Sequence, residues 1–238
     1  MRAQGTIPSV HARTGETILE GVTTQSRSHT ASPSRLRYLL IKRPVDIGLS
    51  AVLLIVLIPV FLAIGIAIAF NSGLPILYRC QRIGRHGRPI TVLKFRTMRN
   101  GSHHHLQEML TGDEELRLEY HVARKLREDP RRTRVGIFLR RTSLDELPQL
   151  LNVLSGKMSL VGPRPSFRGE LDAESDADLI LSVRPGITGL WQVNGRSDRT
   201  FEERLSFDLD YVRRRSLALD LEILGRTVGA VLSGRGAY

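Results

Sequence analysis

Cysteine is nearly absent from this sequence: Cys80 is the single one in 238 residues. One thiol excludes an internal disulfide and any multi-cysteine metal centre, and it fits a reducing compartment. We read Cys80 as a core strand position rather than a reactive thiol. Aromatic residues make up only 5%. That is thin for a protein that stacks on single-stranded nucleic acid, so nucleic acid is not an expected partner. Acid is scarce as well, with 24 Asp and Glu against 35 Lys and Arg and a net charge of +11. Such an excess points to polyanions: nucleic acid on charge alone, an anionic membrane surface, or phosphorylated substrates. The start of the chain has no basic n-region followed by an apolar h-region, so no secretory signal is expected. Neither a P-loop nor a dinucleotide fingerprint occurs.

What the chain does contain begins with a tail, residues 1–37, rich in Ser, Thr, Gly and Ala in its first part and without apolar periodicity. We read it as disordered. From Ile47 to Phe70 no residue carries a charge. That run exceeds the ~20 residues that cross a bilayer core as a helix. Pro59 interrupts it and should kink the helix. Both flanks are basic: Arg35, Arg37, Lys42 and Arg43 before, Arg79, Arg82, Arg85 and Arg88 after. The positive-inside rule then asks for both ends on one side, which a re-entrant helix over residues 38–75 satisfies. Asp46, at the edge of the run, needs a partner, and Lys42 or Arg43 lies one turn back.

Residues 76–238 form the second expected unit. Ile76–Ile83 and Ile90–Met98 read as a hairpin around Gly84–Arg88. Ile90, Val92, Lys94 and Arg96 alternate onto one face, and the two cations at its end make a candidate anion site. His103, His104 and His105 are consecutive and cannot converge on one metal, so they read as a solvated loop. Leu106–Asp129 reads as one charged helix ending at Pro130. In Thr142-Ser143-Leu144-Asp145-Glu146, Ser143 and Glu146 fit a capping box. That pattern puts Asp145 and Glu146 in the first turn of a helix running to Leu154, where the helix dipole favours ionised carboxylates. A fixed, ionised Asp is a usable nucleophile, and a Glu beside it can hold a metal.

Met158–Val161 reads as a short strand, and prolines on both sides of Arg164 frame a guanidinium suited to a phosphate. Leu171–Ser182 reads as a helix. Around Arg184 and Arg196, Gly186, Gly189 and Gly195 suggest a loop built for a phosphorylated ligand. Helical period covers Phe201–Arg215 and Leu217–Leu232. In the first of these, Asp208 shares a face with Phe201, Leu205 and Val212. It requires either an arginine partner or a part in metal or substrate binding. The expected fold class is α+β, mostly helical, with one small hairpin.

Taken together, the Pro-broken apolar helix, Lys94-Phe95-Arg96-Thr97-Met98, Arg141 to Gln149, Gly162-Pro163-Arg164-Pro165 and Arg184 to Gly189, in this order, resemble the bacterial sugar transferases. These are monotopic phosphoglycosyl transferases of the bacterial inner membrane. The resemblance covers roughly residues 38 to 235 and is nearest to exopolysaccharide-initiating members that lack an extra N-terminal multi-span region. It implies that Asp145 attacks the β-phosphorus of a UDP-sugar, giving UMP and a phosphosugar-aspartyl enzyme, and that undecaprenyl phosphate then takes the phosphosugar. It also implies that Glu146 helps hold Mg²⁺, and that Lys94, Arg96 and Arg164 hold phosphates. Membrane lipid and both substrates are the implied partners, with the catalytic domain on the cytoplasmic side; a homodimer is left open. The departure is Ile58-Pro59, where the family often has Ser-Pro. The alternative is a membrane-anchored basic binding module without catalysis.

Overall fold

The computed structural model describes residues 33–233, apart from 124, 125, 127, 128, 172, 173, 197 and 198. The expected tail lies outside the described residues as far as residue 32, and helix α1 (Pro33–Val56) begins ahead of the expected boundary at 38. After Leu57 comes α2 (Ile58–Ser72), bent from α1 by 61°. Pro59 sits in the first turn of α2 and has no N–H to offer the Ile55 carbonyl, which explains a break at this point. No single described helix is long and apolar enough to cross a membrane; the bent pair together has the length and composition of a broken span or a re-entrant loop. One side of the pair packs inward, with Ile64 and Ile68 against Phe95 and Leu139. The other leaves Val52, Ile55, Ile58, Leu62, Ile66 and Phe70 each more than half exposed.

Strands β1 (Leu77–Ile83) and β2 (Pro89–Phe95) form the hairpin, with Tyr78 opposite Lys94 and Ile83 opposite Pro89. Its buried side chains come from β2, chiefly Ile90 and Val92. Cys80 is only half-buried, and its Sγ accepts from Arg82 at 2.7 Å. It is not a core position, because most of β1 is exposed. β2 ends before Arg96, so the expected alternation stops at Lys94.

The predicted single helix over 106–129 is two, α3 (Ser102–Gly112) and α4 (Glu114–Ala123). Asp113 makes the break: its carboxylate accepts from the N–H groups of Glu115 at 2.9 Å and Leu116 at 3.1 Å, an N-cap that starts a new helix. His103–His105 belong to α3 rather than to a loop; their side chains lie outside the description. α5 (Arg134–Arg141) is capped by the Thr133 hydroxyl. There follow α6 (Gln149–Leu154), β3 (Ser159–Val161), α7 (Ala177–Leu181), β4 (Gly186–Thr188), α8 (Leu190–Val193), α9 (Phe201–Arg214) and α10 (Leu217–Ser233). α7 is much shorter than the helix expected over 171–182. Ser175 and Asp176 stand in a turn instead, where short polar side chains compete with helix bonding. β3 and β4 pair in parallel, which was not anticipated.

The class is α+β and mostly helical, as expected. The main core gathers β2, α6, β3, α9 and α10, with Val153, Met158 and Ile223 fully buried. Burying such side chains contributes roughly 1.5–3 kcal/mol each. At its edge lies a closed polar group. Lys42 on α1 sits 3.0 Å from both Asp46 and Asp220. Ser159 donates to Asp46 at 2.6 Å and Tyr211 to Asp220 at 2.9 Å.

Candidate active site

Asp145 and Glu146 lie on a single 3-10 turn, Leu144–Glu146, and not in an α-helix. Ser143 makes no cap; it sits at φ 56, the left-handed region that serine rarely adopts. Pro148 accounts for the difference. An α-helix from Leu144 would need an N–H at 148 for the Leu144 carbonyl, and proline has none. Leu147 takes that carbonyl in a 3-10 bond at 3.3 Å instead. The expected helix is thereby cut to α6. The reciprocal capping box is found elsewhere, at Thr200 and Glu203.

The last cation of β2 reaches the dyad. Lys94 Nζ is 2.5 Å from Glu146 Oε1 and 3.8 Å from Asp145 Oδ2. Arg164 and Arg196 lie within electrostatic reach of Glu146, Arg196 also of Asp145, and Arg140 of Asp145. Burial pushes the Asp145 carboxyl up to about 6; Lys94 and Arg140 oppose this and Glu146 adds to it. Glu146 moves the other way. Burial raises it, but the charge and hydrogen bond of Lys94, then Arg164 and Arg196, bring it below the usual carboxylate range. The pair is therefore split into an ionised Glu146 and an Asp145 whose charge is poorly solvated. A desolvated carboxylate facing cations is suited to attack on phosphorus.

The frame of Arg164 is built from backbone contacts. Gly162 N–H donates to Thr188 at 2.9 Å and Gly186 N–H to Pro163 at 2.8 Å. A Cβ on Gly186 would stand 2.1 Å from the Gly162 nitrogen, and one on Gly189 2.3 Å from the Gly162 oxygen. These glycines let β3 and β4 close on each other; the close approach expected of a ligand is made by the chain itself. Arg164 then stacks over Trp191 at 4.9 Å from the ring centroid. Its backbone N–H faces Asp208 at 3.4 Å. Asp208 is almost fully buried and also pairs with Arg204 at 3.7 Å. Burial raises its pKa to about 7, against Arg204 and Arg164. Asp208 thus meets the arginine partner that its apolar face required.

Two predicted cations do not join the dyad. Arg96 bonds Asn100 and the carbonyls of Ser72 and Gly73 at the end of α2. Arg184 bonds the Gly156 carbonyl at 2.8 Å. Two residues of the site were missed. Arg140 stands in a doublet with Arg141, and only its helical register, one turn after Gly136, marks it as inward. Trp191 sits in a segment read for its glycines. Among the described residues no three His, Cys, Asp or Glu side chains converge on a metal. The donor set still fits Mg²⁺, which usually takes one or two carboxylates and completes its shell with substrate phosphates and water.

The family model described as bacterial sugar transferase matches residues 37–234. The chain belongs to the bacterial sugar transferase family. This sugar transferase is 44% identical over 198 residues to the exopolysaccharide production protein ExoY of Sinorhizobium fredii, covering 83% of the chain and 88% of the relative. It is 45% identical over 199 residues to the undecaprenyl-phosphate galactose phosphotransferase of Salmonella typhimurium, covering 83% of the chain and 42% of that protein. It is 39% identical over 211 residues to the UDP-glucose:undecaprenyl-phosphate glucose-1-phosphate transferase of Escherichia coli, at 84% and 42%. The sugar transferase thus spans less than half of the two longer relatives and most of ExoY.

Proposed function

We propose that the protein transfers a hexose-1-phosphate, galactose- or glucose-1-phosphate, from a UDP-sugar to undecaprenyl phosphate, as the first step of exopolysaccharide synthesis. The observation that carries this reading is the buried Asp145 carboxylate, set apart from Glu146 in proton affinity and faced by Lys94, Arg140 and Arg196. A structural ion pair would balance these charges; here cations exceed acids, as a diphosphate substrate requires.

Asp145 Oδ attacks the β-phosphorus, the bond from that phosphorus to the UMP oxygen breaks, and UMP leaves. A phosphate oxygen of undecaprenyl phosphate then attacks the same phosphorus, and the bond to Asp145 breaks. Lys94, Arg164 and Arg196 hold the negative oxygens through both steps. Glu146, with Asp145 beside it, would hold Mg²⁺, which neutralises diphosphate charge when bound. The exposed apolar side of α1 and α2 supports attachment to the cytoplasmic face of the bacterial inner membrane, where the acceptor lies. UMP release from a panel of UDP-sugars with undecaprenyl phosphate tests the proposal. Release should be confined to hexose donors and absent in Asp145→Asn; substantial release by that variant would overturn the mechanism.

A further inference from the structure

Three arginines left unused by the proposed chemistry gather around Arg184. Arg43, on α1 just before the apolar run, donates to the carbonyls of Leu154 at 3.2 Å and Met158 at 3.4 Å. Arg184 donates to Gly156 at 2.8 Å. Arg85, at the hairpin tip, donates to Ser182 at 3.0 Å. The first two guanidinium groups therefore hold carbonyls of the same stretch, 154–158, and the third holds one beside Arg184. Exposed Lys157 lies on that stretch too.

No ion pair among the described residues involves any of the three arginines. The acid in reach of Arg184 is Asp46, and it is already held by Lys42 and Ser159. Burial, then the repulsion of Arg43 and Arg85, hold Arg184 below the ordinary guanidinium range. Each guanidinium spends one or two of its N–H groups on carbonyls at or just past the C-terminal ends of α6 and α7, and keeps further donors and its full charge. Like charges gathered there without a counter-charge call for an anion.

We propose that Arg43, Arg85 and Arg184 form a site for the phosphate of an anionic phospholipid headgroup, apart from the dyad. The lipid source follows from position. On its own face of α1, Arg43 is bordered by exposed Leu39, Leu40 and Ile47, three or four residues away, so an anion beside it stands at an apolar margin. This rests on the membrane attachment proposed above, and not on the transfer reaction.

The test uses the purified full chain carrying Asp145→Asn, so that turnover plays no part, with vesicles of phosphatidylcholine alone or mixed with phosphatidylglycerol. The protein should prefer the anionic vesicles. Arg184→Gln, which keeps a donor for Gly156, should cut that preference about fivefold, and Arg85→Gln similarly, with binding to neutral vesicles unchanged. Arg117→Gln, an exposed arginine on α4, should leave it intact. Equal loss on both vesicle types would make Arg184 merely structural, and equal loss in Arg117→Gln would reduce the effect to overall charge; either overturns the site. Arg184-dependent binding of inorganic phosphate in detergent, without vesicle preference, would overturn the lipid source. Binding to neither vesicle would remove the membrane attachment and the site together. Failure of the transferase reading, seen as no UMP release by the wild-type chain, would leave these results standing.

Discussion

Two lysines in this protein each face two carboxylates, and they do opposite things. Lys42 lies 3.0 Å from Asp46 and Asp220, and both acids receive further donors from Ser159 and Tyr211. Lys94 lies 2.5 Å from Glu146 but 3.8 Å from Asp145, and the surplus around that pair is positive charge with no acid to match it. The first group closes on itself and fixes α1 to α10. The second is open to an anion. A buried lysine–carboxylate cluster signals function by what its neighbours leave unbalanced, rather than by its burial.

The largest expected effect tests the open group. Asp145→Asn should reduce transfer by about a thousandfold or more. The same variant should be more stable at neutral pH by roughly 1–3 kcal/mol. The sign follows from a pKa raised from 3.8 to about 6. The folded state then binds the proton more tightly than the unfolded chain, so stability falls as pH rises between those values and the penalty persists above them. The gain should vanish below about pH 4 in thermal unfolding. A variant that loses stability at neutral pH would put Asp145 in the same class as Asp46.

In the closed group, Lys42→Met leaves two buried acids unopposed. Destabilisation of about 3–5 kcal/mol is expected in chemical unfolding, with turnover per folded molecule unchanged. Next in size is the acid limb of the rate profile: kcat/KM should fall about tenfold per pH unit below about pH 6 as Asp145 takes up a proton. Lys94→Ala, which removes an attraction that lowers this pKa, should move the limb to higher pH; an unmoved limb would separate Lys94 from the nucleophile. The smallest effect is Trp191→Leu. Losing the stacking under Arg164 should raise KM for the donor about threefold to tenfold with kcat little changed.

Much of this was legible in the chain. The hairpin declared itself through Gly84, Gly87 and Pro89 and through the Ile90–Val92–Lys94 alternation, all of which are local signals. α9 was legible from its period, and that period also marked Asp208 as an acid in need of a partner. The dyad was legible as a pair but not as a turn, because the decisive residue, Pro148, lies beyond the apparent capping box and outside its pattern. β4 is three residues long, too short for any period, and its pairing with β3 is a tertiary fact. The destinations of Arg96 and Arg184 were illegible for the same reason. Sequence supplies the cation, and packing decides which oxygen it meets.

The backbone contact among Gly162, Gly186 and Gly189 has a consequence for how this protein can vary. A Cβ at Gly162 would meet the backbone of Arg184 and Gly186, one at Gly186 that of Gly162 and Thr188, and one at Gly189 that of Gly162. Once one methyl has pushed β3 from β4, a second finds space already made, so the losses overlap instead of adding. The three glycines act, in effect, as one packing unit centred on Gly162. A side chain at any of them forces this backbone apart, and Arg164 loses its seat at the first step.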